Sequence, residues 1–470
     1  MKKRFFNNKM DFKDEFELIS GLQHYCAVLN NATVTGSQKF GIFVYNAEAL
    51  PFNKKSVTYI IFFMNKKIGF AAFLGLSISI LFTSCLGNET VQSISETELF
   101  KIPYGKFEEQ LSVSDLNNVG NVRYGINMRD GFFYIINGEA KKIMELNSYG
   151  DLLTLFYNED SEIASLLNKS NRADESIHHE VSYPFDYPGM LAVDSNKNIY
   201  TVCSIPRDRQ ELSDDGKTLY SQTVLRFARD GSSVEYIGQQ GPGGTPFPFI
   251  KNIYTTSRDE LVVTSVSTEG TIVYWFASDG FLKYMVPVET KSVPTLSNVD
   301  DTSNQFWTIS NVIPDPATYK LYVQIDYYTT YLDEDSKVQS GVNFVQSLLY
   351  PLNVEIGNYE APVTIPPYEE SVVSDYSRLT YRIPYDFLGV TKNGWKFFIV
   401  KTEKGFNIEM IQSETQRILR RQFNVDHNNM LFDTMSLSLD GIITALYLEK
   451  ESARIVWYRT DNLIEAIIKN

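Results

Sequence analysis

At 470 residues, 43% of them hydrophobic and 14% aromatic, the chain has material for one large domain or two ordinary ones with an ample apolar core. Acidic side chains outnumber basic ones by 57 to 43, and a formal net charge of −14 repels nucleic acid and anionic lipid, which excludes both as partners of the folded body. Three cysteines exclude a fold that leans on a disulfide framework.

The first element in chain order is an export signal. In "MNKKIGFAAFLGLSISILFTSC", residues 64–85, Lys66 and Lys67 supply a positive start, and residues 68–82 form an uncharged run too short to span a bilayer comfortably. Small residues then lead into a cysteine. The stretch resembles a bacterial lipoprotein signal whose lipobox is Phe82, Thr83, Ser84 and Cys85, although that pattern favours Leu where Phe82 stands. The resemblance implies acylation of Cys85, a lipid anchor in the cell envelope, and loss of everything before it. Residues 1–63 are then an extension outside the working protein, residues 64–84 the signal, residues 85–96 a short tether, and residues 97–470 the folded body. Leu86 follows the cysteine where inner-membrane retention uses Asp, which points to the outer membrane. Residues 1–84 hold ten of the 43 basic and five of the 57 acidic residues, so the remainder carries 33 against 52, a formal charge of −19.

Beyond the tether, turns organise the chain better than helices do. Six corners recur: "RDGFFYIIN" at Arg129, "NKNIYTVCS" at Asn196, "SRDELVVTS" at Ser257, "TYKLYVQID" at Thr318, "KNGWKFFIV" at Lys392 and "LDGIITALY" at Leu439. In each, a polar turn precedes a strand of β-favouring residues, and pairs such as Asp130-Gly131 supply the left-handed backbone of tight hairpins. A second strand follows each corner: "AKKIMELNSYG", "TVLRFARDG", "TIVYWFASDG", "FVQSLLYPLN", "FNIEMIQSET" and "ARIVWYRTDN". The period of about 45 to 75 residues accommodates four strands and their loops, the size of a propeller blade.

Corner strand, aromatic strand and Asp-Gly turn together resemble NHL-type and related six-bladed β-propellers over most of residues 97–465. The segment "YIGQQGPGGTPFPFIKNIYTTSRDELVV", residues 236–263, is similar to the connector between NHL blades. Its glycines do not form a phosphate loop, because Pro242, Pro246 and Pro248 forbid the helix that such a loop opens. The expected fold is therefore all-β: six blades of four antiparallel strands. The strand in residues 96–105 lacks a partner in the first repeat and is expected to complete the last blade, closing the ring. Helices are expected only at "DSEIASLLNKS" and "DNLIEAIIKN", with Asp160 and Asp461 as N-caps.

Chemical motifs are sparse. His178, His179 and Glu180 read as a surface loop, Asp333 and Asp335 as a hairpin tip lacking the glycine and glutamate of a calcium loop, His427 as a loop histidine, and Cys203 as a small buried hydrophobe. No catalytic set, metal or cofactor is assigned. Propeller enzymes of the lactonase or lyase kind hold a metal at the central channel. That resemblance directs attention to Asp194, Asn252 and Asn311, near blade starts. Tyrosine-rich stretches carry more weight, and Tyr327, Tyr328 and Tyr331 are the candidate partner contacts, since tyrosine gives large contact area and a hydroxyl at low entropic cost. The long interval from Tyr322 to Trp395 marks an insertion. The expectation is a lipid-anchored binding or scaffolding propeller, resembling NHL-like propeller lipoproteins of spirochaetes and Bacteroidetes, that engages a protein, peptide or glycan; a channel-metal enzyme is the alternative.

Overall fold

Each corner strand of the sequence becomes the second strand of an antiparallel sheet, and there are six such sheets. The computed structural model describes residues 41–47, 57–63, 92–113, 124–164, 178–214, 216–296, 305–332, 339–374 and 377–468. The chain divides into two units, Met1–Thr90 and Val91–Asn470. In the first, the described residues form a hairpin, Gly41–Ala47 paired with Val57–Phe63. The second is a six-bladed propeller.

The blades begin at inner strands Tyr124–Arg129, Leu191–Val193, Ile250–Thr255, Gln305–Pro314, Asp386–Val390 and Met430–Leu437. Each continues outward as a meander through the corner strand to a third and fourth strand. Blade one adds His179–Ser182 in parallel to its outer strand, and blade two adds Gly241–Pro242. The sixth blade is completed by Thr97–Pro103, which pairs with Ser452–Tyr458 in the register Thr97 to Trp457 and Pro103 to Ser452. Ring closure by the N-terminal strand follows the sequence expectation. It covers the edge of Ser452–Tyr458, which would otherwise template association.

The corner strands are apolar at nearly every position because each is buried on both faces. Side chains alternate along a strand, so Phe133 and Ile135 enter one hydrophobic cluster with Leu446 and Ile455 of blade six, while Tyr134 and Ile136 enter another with Phe185 and Phe227 of blade two. Blade five splits likewise: Trp395 and Phe397 pack toward blade six, Phe398 and Val400 toward blade four. Among the described residues the apolar core thus falls into six clusters, one at each seam. Cys203 lies buried in the seam between blades one and two, as a small hydrophobe would.

Corners also join neighbouring blades. Asp259 accepts from the Ser195 backbone N–H at 2.8 Å and its hydroxyl at 2.6 Å, Ser257 N–H donates to Pro316 O at 2.8 Å, and Lys392 N–H donates to Leu439 O at 2.9 Å. Buried Glu260 anchors the third of these blades to the fourth. Burial alone raises its carboxyl, but donors on Arg258, Trp275, Tyr319 and Lys283 outweigh that and hold it below the usual carboxylate range.

The glycine-rich segment is a blade connector. It supplies the outer strand Val234–Gly238 and the short strand Gly241–Pro242 before the inner strand of blade three. A Cβ on Gly238 would sit 2.2 Å from Gly244 O, so close passage of two backbone segments explains that glycine.

Helix caps differ from expectation. Ser161 Oγ, not Asp160, accepts from the Ala164 N–H at 3.4 Å, and Asp160 instead donates its own N–H to Asn158 Oδ1. The C-terminal helix spans Thr460–Ile468 with Asp461 inside its first turn, paired with Arg459. Among the described residues no helix is long and apolar enough to cross a membrane.

Candidate ligand-binding face

The meander fixes which loops share a face. Since every blade runs from inner to outer strand, the turns after the first and third strands lie on one side of the ring, and those after the second and fourth lie on the other. The first side carries tight corners, such as Asp130-Gly131 with both φ values positive, and the C-terminal helix Thr460–Ile468, whose Thr460 hydroxyl donates to Gly441 O. The second side collects the additions: the small hairpin Glu211–Leu212 with Leu219–Tyr220, the long strands Lys320–Leu332 and Gln339–Asn353, and the hairpin Tyr368–Ser374 with Ser377–Ile383. The insertion expected between Tyr322 and Trp395 is therefore real and lies on this side.

A cavity of about 530 Å³ runs among the inner strands, lined by residues such as Asn127, Gln222, Lys251, Asn252, Thr434 and Ser436. A smaller one of about 260 Å³, lined by Lys251, Asn252, Tyr254, Thr264, Thr271, Asn311 and Val312, adjoins it. Lys251, Asn252 and Tyr254 belong to both.

Blades three, four and five converge at the insertion-side mouth of this channel. Lys251, near the start of the third inner strand, donates its ammonium to Ser310 O. Asp326 of blade four is buried and accepts from the hydroxyls of Ser310 and Ser347 and from Gln324 Nε2 at 3.2 Å. Gln324 also donates to Tyr385 O at 2.7 Å and accepts from the Phe387 N–H at 3.1 Å, so it clasps the blade-five segment on either side of Asp386. Burial raises the Asp386 carboxyl, the Asp326 charge adds to this, and Lys251 opposes it. Burial lowers the Lys251 ammonium, with Asp386 opposing.

One pleat outward from Asp326 stands an aromatic wall. Strand alternation puts Gln324, Asp326 and Tyr328 on the same face, and cross-strand pairing brings Phe306 opposite Tyr328 and Phe344 on its other side. Phe306 and Tyr328 are stacked, with centroids 5.2 Å apart and planes 13° from parallel, and Phe344 meets Tyr328 edge-on at 5.8 Å. Phe306 remains 37% exposed.

The same alternation sorts the candidate tyrosines. Tyr328 is half-buried in this wall. Tyr327 points the opposite way, 2% exposed in the seam between blades three and four, its hydroxyl donating to Pro294 O at 2.6 Å. Of Tyr331 only its strand pairing with Gly341 is described. Adjacent in sequence, Tyr327 and Tyr328 thus lie on opposite faces of the strand.

The channel candidates also separate. Asp194 is buried and accepts from the Asn198 N–H at 2.8 Å and side chain at 2.7 Å, which makes it the brace of a corner rather than a channel ligand. Asn252 lines both cavities and donates to the Tyr254 hydroxyl at 3.0 Å; Asn311 lines the smaller one. His179 bonds to Asp230 O at 3.0 Å, and His427 lies 3.1 Å from Thr402 O. Among the described residues no group of three or more His, Cys, Asp or Glu side chains is gathered to hold a metal ion. Cys85, Phe82, Thr83 and Ser84 lie outside the described residues, as do Asp333 and Asp335.

Sequence reasoning missed Phe306, Lys251, Asp326 and Asp386. A signal existed for Asp326: in "YVQIDYY" the polar residues Gln324 and Asp326 alternate with apolar ones, which marks a polar face on an otherwise core strand.

No family profile matches the chain, and no curated protein matches it. Among solved structures it is similar to streptogramin B lyase, with 13% identity over 76% of this chain and 96% of that one, at a TM-score of 0.32. It is also similar to a gluconolactonase from Xanthomonas campestris, with 11% identity over 69% and 81% at 0.31, and to calcium-binding regucalcin from Agrobacterium tumefaciens, with 9% identity over 78% and 94% at 0.32. What identifies the fold is the chain's own six sheets and six seams: it is an all-β, six-bladed propeller.

Proposed function

We propose that this chain is an exported lipoprotein, acylated at Cys85, whose propeller binds a partner in the cell envelope through its insertion-bearing side. The observation that carries the reading is the collection of long additions on one side of the ring, with the part-exposed Phe306 and Tyr328 stack standing among them. Loops set on a rigid scaffold are where propellers and other folds vary their ligands. Anchoring draws on the sequence of residues 64–85 alone.

Crosslinking in the native envelope tests both halves. Wild type should sediment with membranes and yield one specific adduct. The Cys85→Ala chain should lose the acyl mass and move to the soluble fraction, and the Phe306→Ala/Tyr328→Ala chain should stay on the membrane but lose the adduct. An adduct that survives the double substitution removes the insertion side as the binding surface.

Lys251 and Asp386 favour a second reading, an enzyme of the lactonase or lyase kind. A carboxyl shifted upward gives up a proton to substrate more readily than it does to bulk water, and a lysine shifted downward by burial accepts one more readily than a free lysine. A panel of lactones and uronate-containing oligosaccharides should then be turned over by wild type and at least 100-fold more slowly by Asp386→Asn; equal rates, or none from wild type, dismiss this reading.

A further inference from the structure

We infer that the aromatic wall of blade four is a platform for the ring of a neutral, hydroxyl-rich sugar, whose hydroxyls reach the polar groups one pleat below it. This rests on the insertion side being a binding surface and names what that surface binds.

Three features select this ligand class. The first is shape. Phe306 and Tyr328 stack nearly parallel across two strands, Phe344 braces Tyr328 edge-on from the third, and the part-exposed Phe306 offers the free face. A platform carried on three hydrogen-bonded strands is rigid, so little ordering entropy is lost when a flat, weakly polar surface lies against it. The C–H face of a pyranose is such a surface.

The second is the chemistry at its foot. Strand register carries the same face inward from Tyr328 and Phe306 to Asp326 and Thr308, and then to the Ser310 carbonyl that receives Lys251. Asn252, which lines the channel, and exposed Asp386, whose carboxyl feels the charges of Asp326 and Lys251, extend it. Carboxylate acceptors thus alternate with ammonium, amide and hydroxyl donors over a few residues. Asp326 and Lys251 are paired within the protein, so the groups open to a ligand are the exposed Asp386 carboxylate and Asn252 amide, and a ring of hydroxyls donates to the one and accepts from the other.

The third is charge. Exposed Asp386, with buried Asp326 beneath it, outnumbers Lys251 in a chain of formal charge −14. Sulfated and uronate-rich glycans are repelled by that field, so the platform selects uncharged sugars.

Binding of the full-length, detergent-solubilised protein to an array of neutral gluco-, manno- and galacto-oligosaccharides, with uronate and sulfated oligosaccharides alongside, tests the assignment. Wild type should retain one or more neutral oligosaccharides and no acidic ones. Affinity should fall at least tenfold in Phe306→Ala and in Tyr328→Ala, yet stay within threefold in Tyr328→Phe, which keeps the ring, and in Tyr149→Ala, on the opposite side. Unchanged circular dichroism and melting in the alanine variants shows that the loss is local. Neutral oligosaccharides bound equally well by both alanine variants overturn the platform. So does a wild type that retains no neutral oligosaccharide but still forms a Phe306-dependent envelope adduct; that result leaves the insertion side as a protein-binding surface. An adduct independent of Phe306 and Tyr328 removes both ideas together.

Discussion

Replacing Lys142 with methionine should destabilise the propeller by about 3–5 kcal/mol, read as a fall in the urea midpoint. Lys142 is fully buried, and its ammonium donates to three carbonyls: Phe107 O at 2.9 Å, Glu108 O at 3.0 Å and Gln110 O. All three N–H bonds are therefore used, and the loop that follows the closing strand is pinned to blade one. Methionine fills the volume but leaves three acceptors without a donor, each worth roughly 1–3 kcal/mol when buried.

A pH signature accompanies this. Burial pushes Lys142 down to about 7, with the Glu108 charge opposing. An unfolded lysine titrates near 10.4. Between these values the unfolded chain holds a proton that the native chain has released, so the Lys142 contribution to stability rises with pH from about 7 to about 10, by up to about 1.4 kcal/mol per unit. Below pH 7 both states are protonated and the slope vanishes. The stability difference between wild type and Lys142→Met should widen over that window. Parallel curves for the two proteins would mean that the carbonyl cradle keeps the ammonium charged throughout.

The second large effect concerns ring closure. A chain starting at Gln92 should unfold cooperatively like the full protein, whereas one starting after Pro103 should lose cooperativity and aggregate. Removing Thr97–Pro103 takes away Phe100 and Ile102, both buried, at about 1.5–3 kcal/mol each. Starting after Pro103 also strips Arg454 of two of its three carboxylate partners, Glu96 and Glu98, leaving Glu449. More damaging still, Ser452–Tyr458 becomes an open, apolar edge. Thermal unfolding with light scattering separates the two truncations. A soluble, cooperatively melting product from the shorter chain would show that the other five seams suffice.

These two cases mark what the sequence reveals and what it hides. The corners were legible because turn chemistry is local: Asp130-Gly131, Asn393-Gly394 and Asp440-Gly441 announce hairpins without knowledge of the rest. Ring closure was legible because a strand without a neighbour must find one. Lys142 was not, since in "AKKIMEL" it reads as a solvated strand end, and only a loop distant in sequence supplies its cradle. Nor did residue type separate Tyr327 from Tyr328. Their difference is one of pleat parity, and parity becomes assignable only when the neighbouring blades are known. The channel-mouth residues Lys251, Asp326 and Asp386 come from three blades and are remote in sequence. Asp194 misled for the opposite reason, because a carboxylate bracing its own turn looks in a string like one offered to a metal.

The route by which the chain enters the ring has a mechanical side. Before the closing strand begins, Ile94 N–H donates to Gln422 O and Gln422 N–H to Gln92 O, so the entering segment is first stitched to blade five. It then crosses to blade six, where Arg454 holds Glu96. Tension applied upstream of Gln92 loads two adjacent blades in succession, and the stitch on blade five must yield before the closing strand feels the pull. Strain is thereby kept off the strand that closes the ring, in the manner of a cable clamped ahead of its connector.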